Sequence, residues 1–230
     1  EENYKTVWDD AKFNAGLHGT RVLNQILPRN PFDFPKSINL VRECCRAGLN
    51  GDERGIVLDY FGGSGTTGHA IIDLNREDGG SRKFVLAEMG NHFETVLIPR
   101  LKKVLYSSLW KDGVAETRSD GISACLKYLR LESYEDTLNN LTFDENPGRA
   151  HVLAASPPLR EDYMLRYLLD VETQGSQSLL NLKALSDPTA YTLQVKKAGS
   201  DEYVTRSVDL LETFNYLIGL RVIKIYAPES

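Results

Sequence analysis

Three cysteines, Cys44, Cys45 and Cys125, are too few and too awkwardly spaced for a zinc site or a disulfide framework. They read as small buried thiols of a reducing, cytoplasmic compartment. The four histidines (His18, His69, His92 and His151) fall in no H-x-x-x-H or E-x-x-H spacing, so no metal site is expected. No apolar run approaches the roughly 18–20 residues of a membrane span, and no membrane role is expected. The opening EENYKTVWDD lacks the basic start and apolar stretch of a secretory signal. It also lacks an initiator Met, as a processed or trimmed piece of a longer chain would. Positive charge is not in excess: 27 Lys and Arg stand against 32 Asp and Glu, a net charge of −5. The basic residues are dispersed, with only short clusters at Lys102–Lys103 and Lys196–Lys197. A protein that grips a long phosphate path shows a basic face, so this chain alone is a poor surface for that task. No repeat or low-complexity tract is present.

What is there is an ordinary globular composition, 41% hydrophobic and 26% charged over 230 residues. That length holds one large domain or two small ones. A helix is expected at about 16–27, ending at Pro28. Three prolines make 28–36 an extended loop. Ser37 is a suitable N-cap for a helix that carries Ile38, Val41 and Cys45 and ends at Gly48 and the turn 50–53. Residues 55–61 form a short apolar run of the buried parallel-strand type. A Gly-rich turn, a helix over 66–76, a turn over 77–82 and a second buried strand over 83–88 follow. Asn91 and Glu94 have capping-box spacing for the next helix, and Pro99 predicts a kink or split within it. Residues 55–106 thus read as a βαβα unit with a parallel sheet.

Beyond 110 the signals are weaker. A strand is expected at Cys125–Leu131, a short helix at 133–141, a loop over 144–161 and a helix at 161–170. A hairpin is expected from 191–197 and 202–208, then a helix capped by Asp209 and ending near Gly219, then a strand over 221–226. The expected domains are 1–145, and a smaller α+β extension over 146–230.

The chemistry concentrates in Asp59-Tyr-Phe-Gly-Gly-Ser-Gly-Thr-Thr-Gly68. Glycines at the end of a buried strand let backbone amides approach a ligand, and the following helix turns its positive end to the same spot. In an open α/β sheet this is where ligands bind. The string satisfies G-x-G-x-x-G, and Glu88 stands about 20 residues on, at the end of the second strand, as in a nicotinamide dinucleotide site. Three features point to a different ligand. Asp59 repels a pyrophosphate but suits an ammonium group. Phe61 offers an apolar face. Ser64, Thr66 and Thr67 offer hydroxyls. A cofactor that carries an amino group, a carboxylate, a sulfonium and a nucleoside fits this lining better, and Glu88 serves the ribose of either ligand.

Asp59-x-Phe61-x-Gly63-Ser64-Gly65-Thr66-Thr67 resembles motif I of the β-group amino-methyltransferases of DNA, above all the modification subunits of type III restriction systems. Phe32-Asp-Phe-Pro35-Lys36 and the helix after it resemble the family's motif X in type, order and spacing. Thr6-Val-Trp8-Asp9-Asp10 resembles the W-x-D-like element upstream of it, and 208–219 resembles sequence that follows the catalytic domain. Ser37 departs from the proline usual after the motif X lysine. The resemblance implies a partial Rossmann-like methyltransferase sheet and S-adenosylmethionine as cofactor. It implies that Asp59, Phe61, Gly63, Ser64 and Gly65 line the methionine end, with Thr66 beside them. Lys36 and Ser37 then lie near the carboxylate, Glu88 at the ribose, and Met89 and Phe93 against adenine.

The family places a catalytic D-P-P-Y-type motif and a target-recognition segment before motif X. Neither Ser156-Pro-Pro-Leu159 nor Asp187-Pro-Thr-Ala-Tyr191 matches that motif, and both read as loop prolines. The resemblance therefore implies the cofactor-binding portion of an adenine-N6 DNA methyltransferase of a restriction-modification system, inactive alone. DNA would be reached through the missing recognition segment. The missing catalytic half or a restriction subunit is an expected partner. An unpaired apolar strand at 55–61 invites association, so it is expected to dimerise, to be covered by the chain's own tail or to dock on another polypeptide. Two rivals stay open: a NAD-dependent oxidoreductase using the same turn, and a non-catalytic interaction module.

Overall fold

In the computed structural model, the described residues are 7–117, 119–140, 187, 189–197, 200–220 and 222–223. The expected loop over 144–161, with its Ser156–Leu159 string, and the helix at 161–170 lie outside them. The chain divides into two compact units, Glu1–Lys127 and Tyr128–Ser230.

In the first unit a π-helical turn, Gly16–Thr20, runs into α1, Arg21–Ile26. The turn lies directly on the proline-rich loop: a Cβ on Gly19 would stand 2.3 Å from the Pro35 carbonyl oxygen. The helix α2, Ile38–Leu49, is capped as expected by Ser37, whose hydroxyl accepts the Leu40 amide. It continues through Gly48 and stops at Asn50, which takes the left-handed conformation with φ 46°. Asn is one of the few residues besides Gly that does so readily.

Strands β1, Ile56–Asp59, and β2, Lys83–Leu86, pair in parallel with Ile56 opposite Lys83 and Asp59 opposite Leu86. They are joined by α3, Thr66–Asp78, which ends at left-handed Gly79. Val57, Phe84 and Leu86 pack under the helices. One cluster centres on Ile71, Leu74 and Cys45, and a second on Ile26, Ile72, Leu97, Leu101 and Val104. The expectation of buried strands holds on one face and is corrected on the other. Ile56, Leu58 and Val85 are 65%, 51% and 53% exposed, because all the packed helices lie on one face. Each forgoes much of the roughly 1.5–3 kcal/mol that full burial of such a side chain provides. Among the described residues β1 has β2 as its sole strand partner, so its outer edge is unpaired.

After β2 the chain makes a π-helical turn, Phe93–Leu97, and then α4, Ile98–Tyr106, with Pro99 in its first turn. The expected split at Pro99 does not occur: the helical backbone runs on unbroken, and Pro99 falls just after the change from the wide turn to the α form, where it lacks the amide of a regular α-helical bond. The Asn91–Glu94 capping box does not form; His92 precedes the turn and no side chain caps it. A short hairpin follows, β3 Trp110–Lys111 and β4 Val114–Ala115, turned by Asp112 and Gly113 with φ 50° and 80°. Asp-Gly is a strong signal for such a turn. The Lys103 ammonium donates to the Ile26 and Gly113 carbonyls at 2.9 and 3.0 Å and lies over the Trp110 ring, joining α1, α4 and the hairpin. No strand forms at 125–131. Of the three thiols only Cys45 is buried; Cys44 and Cys125 are exposed, which corrects the expectation for those two.

In the second unit the expected hairpin is present as β5, Thr192–Lys196, and β6, Tyr203–Ser207. The helix α5, Tyr134–Asn139, belongs with it. The Asp136 carboxylate accepts the Lys196 amide at 2.8 Å, and the Asn140 side chain bonds both backbone groups of Gln194. These bonds draw the division of the chain earlier than the boundary at 145. Asp209 caps α6, Leu210–Leu217, by accepting the Glu212 amide, and Gly219 ends it with φ 70°. The Asp187 carboxylate accepts the Thr189 amide and hydroxyl in a tight turn, and Tyr191 is buried.

Candidate functional site at the first strand-to-helix turn

The ladder between β1 and β2 runs on past their ends. The Ala87 amide donates to the Asp59 carbonyl and the Gly62 amide to the Ala87 carbonyl, both at 2.9 Å. The chain then reverses through Gly63 and Gly65, with φ 54° and 79°, and the Gly65 amide donates to the Gly62 carbonyl at 2.7 Å. Side chains rarely tolerate that conformation. The Asp59 carboxylate spans the turn, accepting the Phe61 amide at 3.0 Å and the Thr67 hydroxyl at 2.6 Å. In α3 the His69 amide donates to the Gly65 carbonyl. The amides of Thr66, Thr67 and Gly68 therefore precede that bond, at the positive end of the helix.

Glu88 closes the site from the other strand. Its carboxylate accepts the Gly63 and Gly90 amides, each at 2.7 Å, and faces His92 Nε2 at 3.1 Å. Burial works to raise its pKa, but the Gly90 and Gly63 amides with His92 outweigh that, and it is held below the usual carboxylate value. The Phe32 ring meets His92 edge-on at 4.9 Å and lies next to Gly63. The proline-rich loop, the Gly-rich turn and the end of β2 thus converge on Gly63. Phe61 and Met89, one beyond each strand, are 88% and 101% exposed.

Asp59, Phe61, Gly63, Gly65 and Glu88 are gathered in this turn, as are Ser64 and Thr66. The last two are buried, with side chains turned inward to Arg100, which has no exposed surface. Arg100 Nη1 donates to Ser64 Oγ and Thr66 Oγ1, each at 2.9 Å, and to the Ser64 carbonyl at 3.2 Å. With the Thr67 hydroxyl on Asp59, the hydroxyls expected to face a ligand serve the turn itself. Ser37 is likewise buried and occupied as a cap, while Lys36 beside it is exposed. Phe93 packs against the core cluster of α4 instead of lying open.

Behind Arg100 lies a polar chain that the sequence reading missed. Arg100 Nε and Nη2 approach His69 Nδ1 at 3.3 and 3.1 Å, and His69 Nε2 faces Asp73 at 3.3 Å. Asp73 in turn accepts from Arg76 at 2.6 Å, and Arg76 donates to the Val104 and Asp120 carbonyls. Arginine only donates, so Nδ1 accepts and the ring is the neutral form with its proton on Nε2. Burial, then Arg100, Arg76 and Arg42, hold the His69 pKa well below its ordinary value. Burial lowers Arg100 to about 10 against the pull of Asp73. Burial also raises Asp73, outweighing Arg76, Arg42 and Arg100. The legible signal was spacing: positions 69, 73 and 76 share one face of a helix.

Residues 1–98 match the family model described as DNA methylase. The chain is 30% identical over 150 residues to the Mod subunit of the type III restriction-modification enzyme StyLTI of Salmonella typhimurium, covering 65% of this chain and 20% of that one. It is 39% identical over 88 residues to the type II methyltransferase M.KpnI of Klebsiella pneumoniae, covering 38% and 20%. It is 36% identical over 90 residues to the EcoP15I Mod subunit of Escherichia coli, covering 38% and 14%. The matches span a fifth or less of these relatives' length. They give no support to an oxidoreductase or a non-catalytic module. Over the part they cover, the chain is similar to the DNA methylases of restriction-modification systems.

Proposed function

We propose that this chain is the S-adenosylmethionine-binding portion of an adenine-N6 DNA methyltransferase of a restriction-modification system. DNA methyltransferases of this family use that cofactor. The observation that carries the reading is the turn around Gly63, where helix-end amides and two carboxylates meet beyond the ends of parallel strands. The donor set fits the cofactor. The amides ahead of His69, with Lys36, suit its carboxylate; Asp59 suits its ammonium; Glu88 suits its ribose hydroxyls. Each carboxylate accepts protein donors yet has about four lone-pair sites, which leaves room for ligand donors. Phe61 and Met89 offer apolar walls. A dinucleotide pyrophosphate would instead meet two anions. When bound, the cofactor supplies an electrophilic methyl group; this chain's residues bind and orient it.

In this reading β1 and β2 are part of a larger Rossmann-like sheet. The catalytic motif and DNA recognition come from sequence outside these 230 residues, and the chain is inactive alone. The open face and unpaired edge of β1 then receive the catalytic half, a restriction subunit or a second copy, in the cytoplasm. Calorimetric titration with S-adenosylmethionine, S-adenosylhomocysteine and NAD tests the cofactor. The first two should bind, Asp59→Ala should abolish the heat, and NAD should give none. Binding of NAD in preference to both would overturn the reading.

A further inference from the structure

Arg100 carries a charge at a position with no exposed surface, where withdrawing a guanidinium from water costs several kcal/mol unless its donors are used. An apolar side chain commonly packs in such a place at no loss of stability. Here the donors go to specific acceptors. One nitrogen holds the Ser64 carbonyl and the hydroxyls of Ser64 and Thr66, on the two sides of left-handed Gly65. The opposite edge rests on His69, itself fixed by Asp73. Arg100 therefore links the Gly-rich turn to α3 from the buried side, while the Glu88 carboxylate holds Gly63 from β2. With the hydroxyls drawn inward and the Gly63 and Gly65 amides bonded to Glu88 and Gly62, the amides of Thr66, Thr67 and Gly68 are what the turn has left to offer outward.

We infer that Arg100 is a positioning residue of the cofactor site: by clamping Ser64 and Thr66 it keeps the Gly63–Thr67 backbone in the conformation that presents the first amides of α3, those of Thr66, Thr67 and Gly68. This rests on the cofactor reading above, but the clamp itself is testable without a ligand. Amide hydrogen exchange and titration with S-adenosylhomocysteine are to be measured on the full chain, for the parent, Arg100→Lys and Thr66→Val. Lysine keeps the charge but not the fork of donors; valine removes one hydroxyl acceptor at equal volume. In both variants exchange should rise about tenfold at 62–67 with α4 unchanged, and affinity should fall by about tenfold or more, as for a lost hydrogen bond to a charged group. Unchanged exchange at 62–67, or an equal rise throughout α3 and α4, would overturn the clamp. A parent chain that takes no S-adenosylhomocysteine yet shows the local exchange response would overturn the cofactor reading and leave the clamp standing.

Discussion

The Glu88 carboxylate reaches 2.7 Å from the Gly63 amide, binding the end of one parallel strand to the turn that follows its neighbour. The same side chain holds the Gly90 amide and faces His92, so three loop groups depend on one carboxylate. Glu88→Ala leaves both amides without this acceptor. It is expected to cost about 1–3 kcal/mol in urea unfolding and to remove cofactor affinity. Glu88→Gln, with one oxygen in place of two, should fall between. A Glu88→Ala chain that unfolds at the parent's urea midpoint would contradict this role.

His69 gives the first unit an acid-sensitive fold. Burial holds its folded pKa well below the ordinary value, so below about pH 6.5 the unfolded chain takes up a proton that the folded chain refuses. Stability contributed by the neutral ring is complete above that pH and falls as the pH drops toward the depressed folded value. The slope approaches about 1.4 kcal/mol per pH unit for one proton. At lower pH, Glu88, held down by its amide donors, loses stability in the same direction, while Asp73, pushed up by burial, opposes it. Urea midpoints between pH 7 and 5 should fall in the parent and fall less in His69→Gln. Parallel curves would refute the assignment.

Gly19 packs against backbone, which cannot yield as a side-chain tip can. Gly19→Ala sets a methyl group against the Pro35 and Lys36 carbonyls. A loss of about 1–3 kcal/mol is expected from such overpacking, read by thermal unfolding, with Gly48→Ala as a control because nothing lies near its Cβ position. Equal effects at 19 and 48 would show that the contact is unimportant.

The open face of β1 and β2 should make the isolated chain self-associate as its concentration rises. Ile56→Lys with Val85→Thr changes residues that are already more than half exposed, so stability should move by no more than about 0.5 kcal/mol. Sedimentation velocity should show the parent associating and the variant less so. A parent that stays monomeric throughout would argue that the face needs no partner.

Periodicity and turn chemistry made the order of elements from Ser37 to Tyr106 legible, along with the hairpin of the second unit and the helix after it, capped by Asp209 and ended by Gly219. The convergence of Asp59, Gly63 and Glu88 was legible because strand ends of a parallel pair must lie together. Side-chain direction was not. Ser64 and Thr66 were read as facing a ligand since nothing local betrays an arginine arriving from α4. The Asn91–Glu94 pair had capping spacing, but the chain enters a widened turn there, and spacing alone does not fix the backbone that a capping box requires. The apolar strands were read as buried, although composition reports what a strand can bury and not what covers it.

The widened turn at Phe93–Leu97 has a consequence for protein engineers. It carries one residue more per turn than an α-helix, and Arg100 lies only a few positions beyond it. Deleting a single residue there would let the segment rewind as an α-helix, and because the wide turn already holds the extra residue, everything downstream would keep nearly its present direction about the axis. The guanidinium would still face its three oxygens, whereas the same deletion within α4 ahead of Arg100 would turn it away by about 100°. One shortening is thus absorbed in the wide turn, while its twin a step later would cripple this domain as thoroughly as a substitution in its glycines.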